Sequence, residues 1–526
     1  MTEAAVHMGR SRWSGLWTTE SAPRRLIDLS TWARRAVWFV GLMTALRLLV
    51  LATTGLSDTE AYYYTWSRFP AWSYYDHPPM VAWMTSLTTL VFRSAFSARI
   101  GAVICSALLG GMVYRFASRL FSPRAGFFAL VAVSVPPVFF FTGFLINPEG
   151  PLAPMWVLIL WLIDDLREHD EPWRPLLLGL AIGGAFLAKY TAILAVPVTL
   201  LFVALSGTTR RWLRRPSFYA GGLVALAVAF PVVLWNYRRH WPSVSLHMVE
   251  RVSQARTATL PAHALQMAIS QFVWMQPLVL PGFLAMLGVA ICRARTDDRH
   301  RLLAIAAGPV LLFFYVLMIF VSDAEPHWTM VGYLPLGIVA GGWIDERFDR
   351  ARGWLGWYWR ACLAVSAAFV AVYFVHTQSA AILRLVPLSV YNAAADPVNE
   401  TFGWYQVRAA IEEEATRLGP DAVVASGHNV LCGQITARLD DQPHVYCPSP
   451  RRTAFDFFGR RDPPAGAPVV YVDSSRYRES VAQTLPGRRC TYVQTVDVQR
   501  QGRSIARYGI YGCTRESPAA TASLFP

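Results

Sequence analysis

Charge is scarce in this chain: 16% of its 526 residues are Asp, Glu, Lys or Arg, against about 25% in an ordinary soluble domain. With 54% of residues hydrophobic, a single soluble globule is excluded. Lysine is scarcer still, since 47 of the 48 basic residues are Arg and the one Lys is Lys189. There is no Walker-type phosphate loop, no GxGxxG fingerprint, no HExxH and no paired-Cys spacing. The sequence signatures of nucleotide binding and of a zinc centre are therefore missing. No internal repeat or low-complexity segment is visible either, so neither a solenoid nor an inverted-repeat transporter has support from periodicity.

What the chain has in place of charge is apolar runs of roughly 20 residues, enough to cross about 30 Å of hydrocarbon, recurring from residue 36 to residue 376. The net charge of +14 does not point to nucleic acid, because the arginines sit in short segments between those runs. That is the positive-inside pattern of a cytoplasmic-membrane protein. It predicts a cytoplasmic segment over 1–35 with no cleavage site, a first span over 36–55, and an outer loop from Leu56 to Pro79. The stretch 80–93 is too short to cross and reads as interfacial or re-entrant. Spans at 98–117 and 125–145 follow. Alternation then puts Arg210 to Arg215, Arg293 to Arg301 and Arg347 to Arg352 inside. It puts the Lys189 region, the 236–262 loop and Ser322 to Trp328 outside. The expected total is about eleven spans, the last over 356–376.

Residues 377–526 read as an extracytoplasmic soluble α/β domain, with β-type runs at 422–425, 445–447 and 469–472 and a helix over 404–417. Cys105, Cys292 and Cys362 lie in spans, whereas Cys432, Cys447, Cys490 and Cys513 form an even set suited to disulfides in an oxidising compartment. A hairpin turning at Gln501-Gly502 sets Cys490 opposite Cys513, which predicts a cross-strand disulfide.

Ionisable residues at membrane depth are costly, and those of this chain gather at the outer ends of the spans. The first outer loop carries Asp58, Glu60 and Asp76 with Tyr62, Tyr63, Tyr75 and His77. One reading is an interfacial aromatic belt with solvated acids. The other is a carboxylate acting as general base on a hydroxyl, inside walls of rings that exclude water. Asn147-Pro148-Glu149-Gly150-Pro151 holds an acid in a non-helical corner, which taken alone is an ordinary helix stop. Lys189, followed by Tyr190, either snorkels to the interface or offers a point charge to a lipid-linked phosphate. Arg238, Arg239, His240, His247 and Arg251 load positive charge on the outer side against the positive-inside bias, which favours an anionic partner there. His327 and Trp328 follow Glu325-Pro326; paired with Asp76, His327 leaves a divalent metal open, although no ligand spacing supports one.

In their order along the chain, Glu60-Ala61-Tyr62-Tyr63, Tyr75-Asp76-His77-Pro78-Pro79, Asn147-Pro148-Glu149-Gly150-Pro151, Ala188-Lys189-Tyr190-Thr191 and Pro326-His327-Trp328 resemble the GT-C glycosyltransferases. The resemblance is strongest to the bacterial branch related to protein O-mannosyltransferases and lipid A aminoarabinose transferases, and it covers residues 36–376. It implies a polytopic α-helical enzyme of the bacterial inner membrane whose site faces the periplasm. Such an enzyme transfers a sugar from a polyprenyl phosphate to a lipid, glycan or protein, with inversion and with no required cofactor. It also implies a base within an Asp-Glu pair of the first loop. Here the aligned pair is Thr59-Glu60 with Asp58 one position early, so Glu60, Asp58 and Asp76 all stay open as the base. Glu149 stands where the family commonly has Asp. A lipid or solute transporter is the alternative, although it would place its ionisable groups near the membrane midplane.

Overall fold

The computed structural model describes residues 31–251, 260–321, 325–347, 353–387 and 391–515. The expectations for residues 1–30, for part of the 236–262 loop, for Ser322 to Ala324, and for Arg350 and Arg352 lie outside the described residues. Among the described residues, five helices are each long and apolar enough to cross a bilayer: Thr31–Thr53, Ala95–Leu120, Pro216–Arg238, Asp298–Phe320 and Trp354–Ser379. A bent pair, Leu260–Met275 and Val279–Arg293, makes six if counted as one crossing. Shorter apolar helices, Pro123–Ser134, Arg174–Ala188 and Ala195–Leu205, join two mostly buried ones, Glu149–Glu168 and Met330–Arg347. By length and composition alone the six fall short of the expected eleven, because several apolar runs are broken.

Each break has a local cause. The 125–145 run, expected as one span, is split at Pro136-Pro137 into Pro123–Ser134 and Pro137–Thr142, since proline removes a helix donor and clashes with the preceding turn. Arg47 of the first span turns inward and donates to the carbonyl of Phe139, in the short helix after the break, at 3.2 Å. A second break falls at Lys189, whose extended backbone (φ −155°, ψ 139°) separates Arg174–Ala188 from the 3-10 turn Tyr190–Leu194. A third falls at Gln276 (φ 71°), where the bent pair turns by 96°. Irregular backbone survives at membrane depth only when protein covers it, and Lys189 and Gln276 are 5% and 2% exposed. The stretch after Pro79 folds as a nine-residue helix, Met80–Thr88, about 14 Å long and too short to cross, as expected.

The C-terminal part carries a five-stranded sheet: β1 (Val423–Ala425), β2 (Val445–Tyr446), β3 (Val469–Ser474), β4 (Arg488–Arg500) and β5 (Arg503–Arg515), in the order β2-β1-β3-β5-β4. The first three are parallel, and β5 runs antiparallel to both β3 and its hairpin partner β4. Gln501 and Gly502 both have positive φ (52° and 74°), the conformation a two-residue hairpin turn needs. Cys490 pairs with Cys513 across the hairpin, and the disulfide forms as predicted. Cys432 and Cys447, expected in the same oxidised set, are free thiols. They are buried neighbours, but the Cys432 thiol is directed at the Ser426 carbonyl, 3.1 Å away, and not into a bond.

This C-terminal part does not stand apart from the bundle. The first-loop helix Asp58–Trp66 packs against the helix Asn429–Leu439, and Tyr62, Tyr63, Trp66, Tyr74 and Tyr75 share one buried core with Trp404, Val407, Phe455 and Ile510. Face-on ring pairs, Tyr75 with Phe457 at 5.6 Å and Phe69 with Phe458 at 4.5 Å, bridge the junction. The loop aromatics, read from sequence as walls that exclude water, are mainly the mortar of this junction.

Candidate active site

The Pro148-Glu149 corner is built locally. Asn147 accepts the Gly150 N–H on its side chain at 2.8 Å, so Glu149 opens its helix pointing inward. Its Oε1 takes an ion pair from Lys189 and a contact from His327 Nε2 at 3.2 Å, while Oε2 is buried with no partner. Lys189 reaches it because the helix breaks there and frees the side chain from a lipid-facing surface. The Trp328 ring lies 5.5 Å from the Lys189 ammonium and 5.6 Å from the Arg251 guanidinium, within cation–π range of both.

Asp76 joins this cluster from the first loop. Its Oδ2 accepts the Tyr62 hydroxyl at 2.7 Å, and its backbone carbonyl accepts His247 Nε2–H at 2.8 Å. The His247 ring meets Tyr190 edge-on at 5.5 Å, and the Tyr190 hydroxyl bonds Ser73 at 3.2 Å and Asn236 at 3.4 Å. Burial pushes the Asp76 carboxyl above its ordinary range. Burial, then the Lys189 charge, holds His77 well below its usual value; burial, then Arg251, pushes His247 down to about 4. Both imidazoles are thus neutral at pH 7.

The other predicted residues lie elsewhere. Glu60 accepts the Ser57 N–H at 3.0 Å, the reach-back half of a capping box, and the Ile146 N–H at 3.1 Å, with Arg99 3.8 Å away. It therefore braces the corner that carries Glu149. Asp58 faces the C-terminal part, accepting from Gln434 at 2.9 Å and Tyr477 at 2.8 Å. Both acids have their oxygens engaged by protein donors. Arg238 and His240 are exposed with no bond to the cluster. Arg239 stacks on Trp235 at 4.7 Å and joins Arg68, Ser73, Tyr75 and Phe457 around a separate cavity of about 340 Å³. Among the described residues, no group of three or more His, Cys, Asp or Glu is arranged to hold a metal. Asp76 and His327, expected as a metal pair, bond instead to Tyr62 and Glu149.

Several contributors escaped the sequence reading. Ser73, Asn236 and Glu250, which accepts the Tyr75 hydroxyl at 3.0 Å, carry no motif. Glu400 accepts the Asp58 N–H at 3.1 Å and lies 3.4 Å from Arg476; only the fold unites groups 342 residues apart. Burial, then the charge of Asp58, pushes the Glu400 carboxyl up to about 7. A carboxyl raised on folding stabilises the native state below its unfolded pKa near 4.3 and loses that contribution as pH rises toward 7. Thermal melts should therefore show wild-type stability falling between pH 4.5 and 7.5, by on the order of 2 kcal/mol. Glu400→Gln should flatten that slope; an unchanged slope would remove Glu400 from the account.

The profile of the dolichyl-phosphate-mannose-protein mannosyltransferase family matches residues 76–235. The chain is 26% identical over 301 residues to the lipid A galacturonosyltransferase RgtD of Rhizobium johnstonii, covering 54% of this chain and 59% of that protein. It is 27% identical over 299 residues to the undecaprenyl phosphate-α-4-amino-4-deoxy-L-arabinose arabinosyl transferase of Edwardsiella ictaluri, covering 52% and 50%. The chain thus spans between half and three fifths of the length of these curated relatives. Among solved structures, apo ArnT from Cupriavidus metallidurans superposes with a TM-score of 0.61 at 17% identity, over 92% of this chain and 98% of that one. The same protein bound to undecaprenyl phosphate gives 0.58 at 16% identity, over 91% and 98%. The chain thus shares the fold of ArnT, carries a small C-terminal sheet, and is a multi-pass membrane protein.

Proposed function

We propose that this chain is an inverting glycosyltransferase that moves a sugar from a polyprenyl phosphate to a lipid acceptor at the periplasmic face of the bacterial inner membrane. The observation that carries it is the convergence of Glu149, Lys189 and Arg251 around Trp328 at one end of a helical bundle, with Asp76 near enough to Arg251 to feel its charge. In this reading there are eleven crossings, the short broken helices included. Residues 36–376 form the catalytic membrane domain and 377–526 the periplasmic domain. The relatives support the substrates: one is named for lipid A as acceptor, the other for an undecaprenyl-phosphate-linked donor, and ArnT is seen with undecaprenyl phosphate.

Asp76 is the base of the proposed reaction, and its carboxylate takes the proton of the acceptor hydroxyl. The hydroxyl oxygen attacks the anomeric carbon, the bond from that carbon to the phosphate oxygen breaks, and polyprenyl phosphate leaves with the electron pair. Lys189 and Arg251 meet the charge that grows on the departing phosphate, while Glu149 and His327 hold Lys189 in place. No step requires a cofactor. The 340 Å³ cavity with Arg68 and Arg239 receives the acceptor headgroup, reaching the cluster past Ser73 and Tyr190.

Purified protein should be given a panel of undecaprenyl-phosphate sugars with lipid A, and the acceptor followed by mass spectrometry. A mass gain of one glycosyl unit is the expected result. No gain with any donor, together with lipid or solute movement across proteoliposomes, would favour the transporter. The junction supplies a second test, because a Cβ on Gly433 would lie 2.7 Å from Tyr62 Cα and 2.8 Å from Tyr62 N. Backbone cannot yield as a side-chain tip does. Gly433→Val should displace Tyr62 from Asp76 and lower kcat about 100-fold, the cost of roughly 1 Å of misplacement. Unchanged kcat would disconnect the C-terminal part from catalysis.

A further inference from the structure

At the opposite end of the bundle from the candidate site, a cavity of about 700 Å³ opens among the helices Pro123–Ser134, Val279–Arg293, Met330–Arg347 and Trp354–Ser379. The helix Met330–Arg347 fixes that separation. It begins just after His327 and Trp328, and it reaches the cavity through Trp343 and Ile344, about 20 Å further along its axis. Phe128, Phe283, Met286 and Trp359 also line it. Protein interiors are close-packed, with few voids larger than a water molecule. The volume lies within the roughly 300–1,000 Å³ of ligand cavities.

The rim is chemically different from the walls. Arg360 lines the cavity and is exposed; its Nε donates to the Gly356 carbonyl at 3.1 Å, and no carboxylate of the described residues lies within ion-pair distance. Arg347 stacks over Trp343 at 4.3 Å, and Arg347 and Arg293 share Glu346, at 3.1 and 2.7 Å. Among the described residues, the rim therefore has more guanidinium than carboxylate. Trp354 and Trp357 stand 74% and 68% exposed on the helix that brings Arg360, where tryptophans mark the level of lipid headgroups. An apolar slot under a cationic rim at headgroup depth has the shape and charge of an anionic phospholipid.

We propose that this cavity binds one anionic diacyl phospholipid from the leaflet opposite the candidate site, its chain in the slot and its phosphate on Arg360. The arginine fork suits a phosphate oxygen pair, and surplus rim charge selects an anionic headgroup over a zwitterionic one. The site needs only the membrane fold and does not depend on the proposed transfer reaction.

The test is native mass spectrometry of protein reconstituted with equimolar phosphatidylglycerol and phosphatidylethanolamine of matched chains, then moved to mild detergent. Wild type should retain phosphatidylglycerol in preference by about fivefold, the contribution of one arginine near a lipid surface. Arg360→Gln, an exposed position, should lose the preference while keeping the thermal midpoint. Met286→Trp should lose both lipids by filling the slot. Equal retention of the two lipids by wild type would overturn the proposal, as would an unchanged preference in Arg360→Gln. Displacement of phosphatidylglycerol by equimolar undecaprenyl phosphate would also overturn it, giving the cavity to the donor's tail.

Discussion

Lys189→Met is expected to lower kcat for a polyprenyl-phosphate sugar by about 10²–10³, because a positioned charge facing a developing anion contributes roughly 3–4 kcal/mol to the barrier. Methionine matches the length of the lysine stem, so packing against Trp328 is kept and only the ammonium is lost. The loss has a second consequence. Glu149 is 2% exposed and would keep only His327 as a partner, and a buried charge stripped of its partner destabilises by about 3–5 kcal/mol. The variant should therefore be both slower and less stable. The double variant Lys189→Met with Glu149→Gln removes the orphaned charge and should recover the thermal midpoint without recovering kcat. Parallel recovery of both would mean that Lys189 is a structural ion pair and nothing more.

Asp76→Asn is expected to lower kcat by about 10²–10⁴, the usual contribution of a positioned general base. Asparagine still accepts the Tyr62 hydroxyl through its carbonyl oxygen, so the loop geometry is preserved while the proton acceptor is gone. Glu60→Gln and Asp58→Asn provide the contrast. Glu60 is engaged by Ser57, Ile146 and Arg99, and Asp58 by Gln434 and Tyr477, so both changes should reduce stability more than turnover. A larger kcat loss in either than in Asp76→Asn would move the base back into the Asp58-Glu60 segment.

The sequence made some of this readable and hid the rest for physical reasons. Lys189 stood out because its neighbours in charge are all Arg, and Glu149 because two prolines and a glycine box it in; the structure joins the two directly. The Gln501-Gly502 turn sets Cys490 opposite Cys513, and the two one-residue irregularities between turn and disulfide, one on each strand, cancel. Glu60 could have been recognised as a cap, because Ser57-x-x-Glu60 is the capping-box spacing; the resemblance drew attention to chemistry instead. The junction was invisible. Gly433, Gln434, Glu400 and Tyr477 lie hundreds of residues from Asp58 and Tyr62, and only the folding of the sheet against the first loop makes them neighbours. The broken spans were half visible, for Pro136-Pro137 is a plain stop signal, whereas the turn at Gln276 rests on tertiary packing.

The central claim is that the Asp76-Glu149-Lys189 cluster breaks a sugar–phosphate bond. Single-turnover kinetics tests it most directly, with enzyme in excess over a competent undecaprenyl-phosphate sugar, acceptor present, and release of undecaprenyl phosphate followed over time. The expected result is one exponential phase in wild type that depends on acceptor and is slowed by about 10² or more in Asp76→Asn. Release at the same rate in Asp76→Asn, or no release by wild type from any donor, would contradict the account.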